Sequence, residues 1–280
     1  MITESEIDVI RSKIIKKYIN AIIIRLKNHN YYVYDDIGSI QVDLPESRPN
    51  SNVRFVPKNK WNDDMDVKKY NLNSSGGFAH SDGRVVIKTN IEDNAKSVQS
   101  LIKLLSDTRS EDYSVLVHEL AHELDHASLR IPKKHKQESF GSTGYFRQGW
   151  EQEARFQQLL VDFEQFVVST TIVGFTWAGT RSTFWPPVEK LRRYMAYKSF
   201  SLVAWPHLTT SGKTRIITRL LDYYPVIVAS CISKIKKDIT KSRRELAKHL
   251  DIMEDLDKLE AAMKADKTIQ TQLAKYKSIK

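Results

Sequence analysis

The chain of 280 residues holds one cysteine, Cys231. A lone thiol cannot close an intrachain disulfide, so covalent stapling is excluded. Residence in the cytosol or inside a virion is expected rather than secretion. The surroundings of Cys231, VIVASCIS, are apolar, and the residue reads as core, not as a nucleophile. No apolar run approaches about 18 residues, so no membrane-spanning helix is expected. The opening MITESEIDVIRSKIIKKYIN carries early acids and no uninterrupted apolar core, so it does not read as a secretory signal. There is no internal repeat and no low-complexity tract. A phosphate loop is also lacking: TTSGKT at 209–214 has His207 where the first glycine should stand, and no strand leads into it.

What is present is ordinary in bulk and uneven in distribution. Hydrophobic residues make up 41% and charged residues 28%, values of a folded globular chain. The net charge of +10 is concentrated at one end. Residues 1–185 hold 24 Lys and Arg against 24 Asp and Glu, whereas residues 186–280 hold 20 against 10. The basic end can be a set of solvated helices or a surface for nucleic acid or another acidic partner. Mixed signs in KSRRELAKHLDIMEDLDKLEAAMKADK favour solvated helices, and no residue is assigned to nucleic-acid binding.

Thr3 and Glu6 fit a capping box that opens a helix with Ile7, Ile10, Ile14, Tyr18 and Ile22 on one stripe. YYVYDD, IQVDLP and VRFVP read as strands, the first two around Gly38, and 61–76 reads as loop. GFAHSDGRVVIKTN reads as a hairpin turning at Asp82-Gly83, with His80 structural on its edge strand. IEDNAKSVQSLIKLLSD is an amphipathic helix, and Ser110 caps the next. A long loop covers 131–149, and a further helix starts near Trp150. Beyond Gly174 the chain turns aromatic, Pro186-Pro187 break any helix, and helices are expected over 187–204, 212–239 and 240–278.

The stretch HELAHELDH, 118–126, holds three of the eight histidines. On a helix, positions i and i+4 lie about 40° apart and one turn up. His118 and His122 therefore project side by side and can share one tetrahedral ion at about 2 Å from each nitrogen. Glu119 stands beside such an ion without binding it, placed to take a proton from an activated water. Val115, Leu116, Leu120, Ala121 and Leu124 supply the buried face that the motif needs. The other reading is a solvated His/Glu-rich helix face. His126, eight residues on, lies about 12 Å along the axis from His118 and cannot join the same ion.

A catalytic zinc takes three protein ligands and keeps one position open, so a third must come from another helix. WEQEARFQQLL offers Glu151 and Glu153, which point about 160° apart, so only one can face the site. HELAH followed some thirty residues later by a helix reading E-x-E-A resembles the zincin-type metallopeptidases of the gluzincin group. Within these it is most similar to ImmA/IrrE-like and related phage-encoded metallopeptidases. The resemblance covers roughly residues 77–165. It implies Glu151 as the ligand, with Glu153 beside the site or on the surface. Arg155 departs from the pattern, which often has an Asp at that position.

The implied fold is α+β: a zincin-like core over 1–175, with a small, mostly antiparallel sheet, the HExxH helix and the Glu helix, followed by a basic helical extension over 176–280. The implied function is a Zn²⁺-dependent peptidase acting on a protein or peptide substrate, with Glu119 as general base and strand 85–89 holding extended substrate by strand addition. Asp125 is a candidate to orient a ligand imidazole. Tyr145 and Arg147 are candidates to stabilise an oxyanion. The alternative function is a catalytically inactive structural or nucleic-acid-associated module using the basic C-terminal helices. A third is hydrolysis of a non-peptide amide, since the motif does not specify the acyl group.

Overall fold

The computed structural model describes residues 4–34, 38–44, 51–72, 76–80, 82–91, 97–127, 149–172, 207–241 and 250–277. Among the described residues, helices accompany one five-stranded sheet, so the expected α+β class holds. By packing, the chain forms two compact units: Arg11–Gln158, and Met1–Ile10 with Leu159–Lys280. The division expected at 175/176 falls outside the described residues. Helices α1 (Glu4–Lys27) and α5 (Gly149–Ile172) are each continuous from one unit into the other.

The sheet belongs to the unit Arg11–Gln158. Its strands are β1 (Tyr32–Tyr34), β2 (Ser39–Asp43), β3 (Asn52–Pro57), β4 (Gly77–Ala79) and β5 (Arg84–Thr89), in the order β1-β2-β3-β5-β4. Only β3 and β5 pair in parallel. The Asp82-Gly83 hairpin forms as expected, with Gly77 opposite Ile87. Gly83 has φ 99°, and a Cβ there would lie 2.6 Å from Ser51 Oγ, so the turn requires glycine. One expectation fails. Strand 85–89 cannot receive substrate by strand addition, because β5 is internal and hydrogen-bonded on both sides. Among the described residues, β4 is the edge on that side of the sheet and β1 the edge on the other.

Alternation along β3 and β5 puts Arg54, Val56, Val86 and Lys88 on one face, and Val53, Phe55, Val85 and Ile87 on the other. Of the segment expected as loop, 61–76, the part up to Tyr70 is folded over the first face as a 3-10 helix (Lys58–Asp63) followed by α2 (Met65–Tyr70). Trp61 is fully buried with Val56, Val67, Leu72 and Val86, and its Nε1 donates to Leu72 O at 3.1 Å. Asp64 caps α2 by accepting from Asp66 N and Val67 N. Arg54 pairs with Asp64 and Asp66, and Arg84 with Asp66, so ion pairs tie α2 to the sheet. Polar composition hid a helix whose polar residues are caps and partners.

Helices α3 (Ser97–Ser106) and α4 (Glu111–Ala127) follow, and α4 packs against β4 and β5. In α1 the buried stripe is Ile15, Ile19, Ile22 and Leu26, rotated from the expected one: Ile7, Ile10, Ile14 and Tyr18 are only half-buried. Thr3 and the Glu6 side chain lie outside the described residues.

The other unit contributes α6 (Thr210–Lys241), α7 (Leu250–Ala265) and α8 (Lys267–Lys277). The single helix expected over 240–278 is divided at Asp266, whose Oδ1 accepts from Thr268 N at 2.8 Å and Ile269 N at 3.1 Å and so starts a new helix. The helix expected at 187–204 lies outside the described residues. Asp8 and Arg219 form a buried ion pair, and Cys231 is buried, as its apolar setting implied. Within α6, Thr210–Ser233 is long and apolar enough to cross a membrane by length and composition, where no such helix was expected. The span contains the core residues Ile216, Leu220, Tyr224 and Val228, and its most apolar window is 61% buried.

Candidate metal centre

Local sequence fixes the start of α4. Ser110 Oγ accepts from Tyr113 N at 3.0 Å, the expected cap, and donates to Leu104 O at 2.7 Å. Glu111 and Asp112 in the first turn suit the positive end of the helix. Asp112 also accepts from Thr89 Oγ1 and from Asn90 N and Nδ2, which ties the end of β5 to the start of α4. Leu116, Val117, Leu120 and Ala121 are buried, while Val115 and Leu124 are half-buried. The polar residues on the other side are also out of water: His118, Glu119 and His122 are each 5–6% exposed. A solvated His/Glu face does not match this helix.

His118 Nε2 and His122 Nε2 lie 3.1 Å apart, with the rings at 88°. Glu151 enters from the first turn of α5 and is fully buried. Its Oε2 lies 3.2 Å from His122 Nε2 and 3.5 Å from His118 Nε2. Among the described residues this is the one group of three side chains able to hold an ion. Four ligands at about 2.0–2.1 Å around a tetrahedral Zn²⁺ stand about 3.3 Å from each other. The three edges of the triangle, 3.1, 3.2 and 3.5 Å, match that separation. One proton cannot satisfy three atoms that all converge on one point, whereas one cation can. Glu153 is half-buried and outside the triangle.

The protonation states suit a cation. Burial pushes the His118 imidazole down to about 4, so it is neutral near pH 7. Burial works against ionisation of Glu151, but His118 and His122 overcome it and hold the carboxyl well below its usual range. The positive end of α5 favours the same ionised form. Burial also pushes Glu119 up to about 7, with His122 and Arg155 opposing and Glu151 reinforcing. Glu119 lies beside the edge strand: a Cβ on Gly77 would come within 3.0 Å of Glu119 Cγ.

Asp125 is salt-bridged to Arg11 Nη1 at 2.7 Å, and Arg11 Nη2 also donates to Ala121 O at 3.3 Å. Its carboxylate thus serves in clamping α1 to α4. Tyr145, Arg147 and the His126 side chain lie outside the described residues. His80, one residue past β4, contacts Tyr70 OH and Asp82, the structural role expected of it. Three contributors were not foreseen. Arg155 Nε donates to Glu151 Oε1 at 2.8 Å, and its i,i+4 spacing could have signalled this. Glu123, fully buried, accepts from Ser51 Oγ at 3.4 Å, and Arg11 reaches α4 across more than a hundred residues. No sequence signal points to either.

No protein-family model matches the chain, no curated protein matches it, and no solved structure matches its fold.

Proposed function

We propose that the chain is a zinc-dependent peptidase with a zincin-like core, in which His118, His122 and Glu151 hold the ion and Glu119 is the general base. The observation that carries this reading is the buried triangle of Nε2, Nε2 and Oε2, with edges of a tetrahedral Zn²⁺ site. A set of two imidazole nitrogens and one carboxylate oxygen is a typical donor set for catalytic zinc. When bound, Zn²⁺ supplies Lewis-acid polarisation of the scissile carbonyl and lowers the pKa of the attacking water.

Glu119 takes the proton from that water and passes it to the leaving amine. Burial raises its carboxyl in the metal-free chain, and the charge of a bound ion would favour the ionised form that a general base needs. Substrate in extended form is read by β4, the edge strand, and not by β5. Gly77 lets β4 lie close against Glu119, because it puts no side chain between them. Tyr145 and Arg147 stay proposals for oxyanion stabilisation.

The test is digestion of an unbiased peptide mixture by the zinc-loaded protein and by Glu119→Gln. Cleavage by the wild type, reduced about 10²- to 10⁴-fold in the variant, supports the reading. Equal cleavage by both, or none by a zinc-loaded wild type, contradicts it. The second reading, an inactive module bound to nucleic acid, is favoured by the excess of base over acid in residues 186–280. It requires duplex binding that weakens steeply with salt and is indifferent to Glu119→Gln.

A further inference from the structure

Glu151 gives its two carboxylate oxygens to different partners. Oε2 faces the two imidazoles, and Oε1 accepts from Arg155 Nε at 2.8 Å. Arg155 stands one turn further along α5. Its Nη1 donates to Gln158 Oε1 at 3.3 Å, and Gln158 Nε2 donates to Ser114 Oγ at 2.7 Å. Ser114 lies one turn before His118 on α4. A path of hydrogen bonds therefore leaves one ligand, runs along α5, crosses to α4 and ends one turn from a second ligand.

We propose that Arg155, held by Gln158 and Ser114, is the positioning residue of the metal centre: it occupies Oε1 of Glu151 so that the carboxylate meets an ion through Oε2 alone. This rests on the zinc-site reading above. A carboxylate with both oxygens unengaged can chelate an ion through the pair, which consumes the coordination position that a catalytic zinc must keep open. A guanidinium is suited to prevent this, because its planar N–H groups are fixed in direction and its charge does not titrate. The side chain is half-buried between its two partners, so its rotamer is set by the relay and not by solvent. An Asp at this position, the residue expected from the resemblance, would repel Glu151 instead of holding it.

The experiment titrates Zn²⁺ and Co²⁺ into metal-stripped full-length protein, comparing wild type with Arg155→Met and Arg155→Gln. Each form is expected to take one ion, because all three ligands remain. In the variants the visible Co²⁺ bands should weaken as a four-coordinate site becomes five-coordinate, and Zn²⁺ should be held at least as tightly, because the second oxygen joins the ion and the Arg155 charge is gone. An unchanged Co²⁺ spectrum in the variants overturns the role of Arg155. Arg155→Gln carries the same decision if Arg155→Met does not fold. A wild type that takes up no ion overturns the zinc-site reading itself, an outcome distinct from failure of the Arg155 inference alone.

Discussion

At the scale of single residues, burial sets the chemistry. Glu119 has a carboxyl at about 7 in the folded chain against an ordinary 4.5. Its protonated form is the one the fold prefers, so its contribution to stability is complete below about pH 4.5 and is lost as the pH rises through about 7. Glu119→Gln, neutral throughout, should therefore stabilise the metal-stripped protein at pH 8, on the order of 1–3 kcal/mol, and leave it unchanged at pH 4. Urea midpoints at the two pH values check this; equal midpoints at pH 8 contradict it. His118 acts with the opposite sign. Its folded value near 4 lies below 6.5, so its contribution is complete above pH 6.5 and is lost as the pH falls towards 4. HELAH was legible because its geometry is local: the i,i+4 spacing alone brings His118 beside His122. Glu151 was legible only through a resemblance, since helix geometry could not choose it over Glu153. Arg155 was read as a departure, because its value depends on Gln158 and Ser114, and the link to Ser114 crosses between helices.

Elements were legible where one pattern dominates and obscured where polar residues serve as structure. The strands, the Asp82-Gly83 turn and the Ser110 cap follow from β-branched runs, a dipeptide and a hydroxyl. The helix at Met65–Tyr70 does not, because Asp64, Asp66 and Lys68 look like loop until their partners are known. The substrate role expected of strand 85–89 was the larger error. A hairpin seen in isolation offers either strand as its edge, and only the parallel pairing of β3 with β5 moves the edge to β4. That correction has a consequence at Gly77. Gly77→Val places carbon against Glu119 Cγ and Val86 O, each 3.0 Å from the new Cβ. A loss of about 1–3 kcal/mol is expected from overpacking, with reduced peptide hydrolysis as Glu119 is displaced. Urea denaturation and turnover measured together check it; an unchanged midpoint with full turnover contradicts the close approach of β4 to α4.

For the whole molecule, charge and packing tell different stories. The basic excess lies in residues 186–280, yet the described helices there also pair their charges: Lys236 meets Asp257 at 2.6 Å and also meets Glu260. The unit formed by Met1–Ile10 and Leu159–Lys280 depends on a buried pair, Asp8 with Arg219, joining residues 211 positions apart. No pattern in the sequence announces such a contact. Arg219→Met leaves Asp8 buried without that cation and should cost about 3–5 kcal/mol, read as a fall in the urea midpoint. A change below 1 kcal/mol would argue against the pair. The function proposed for the unit Arg11–Gln158 turns on whether the triangle of His118, His122 and Glu151 holds an ion. The most direct measurement is the zinc content, by elemental analysis, of the purified folded wild type, Glu119→Gln and His118→Ala. One zinc per chain is expected in the first two and a large loss in the third. A folded wild type without zinc, or His118→Ala with a full complement, would contradict the metal centre.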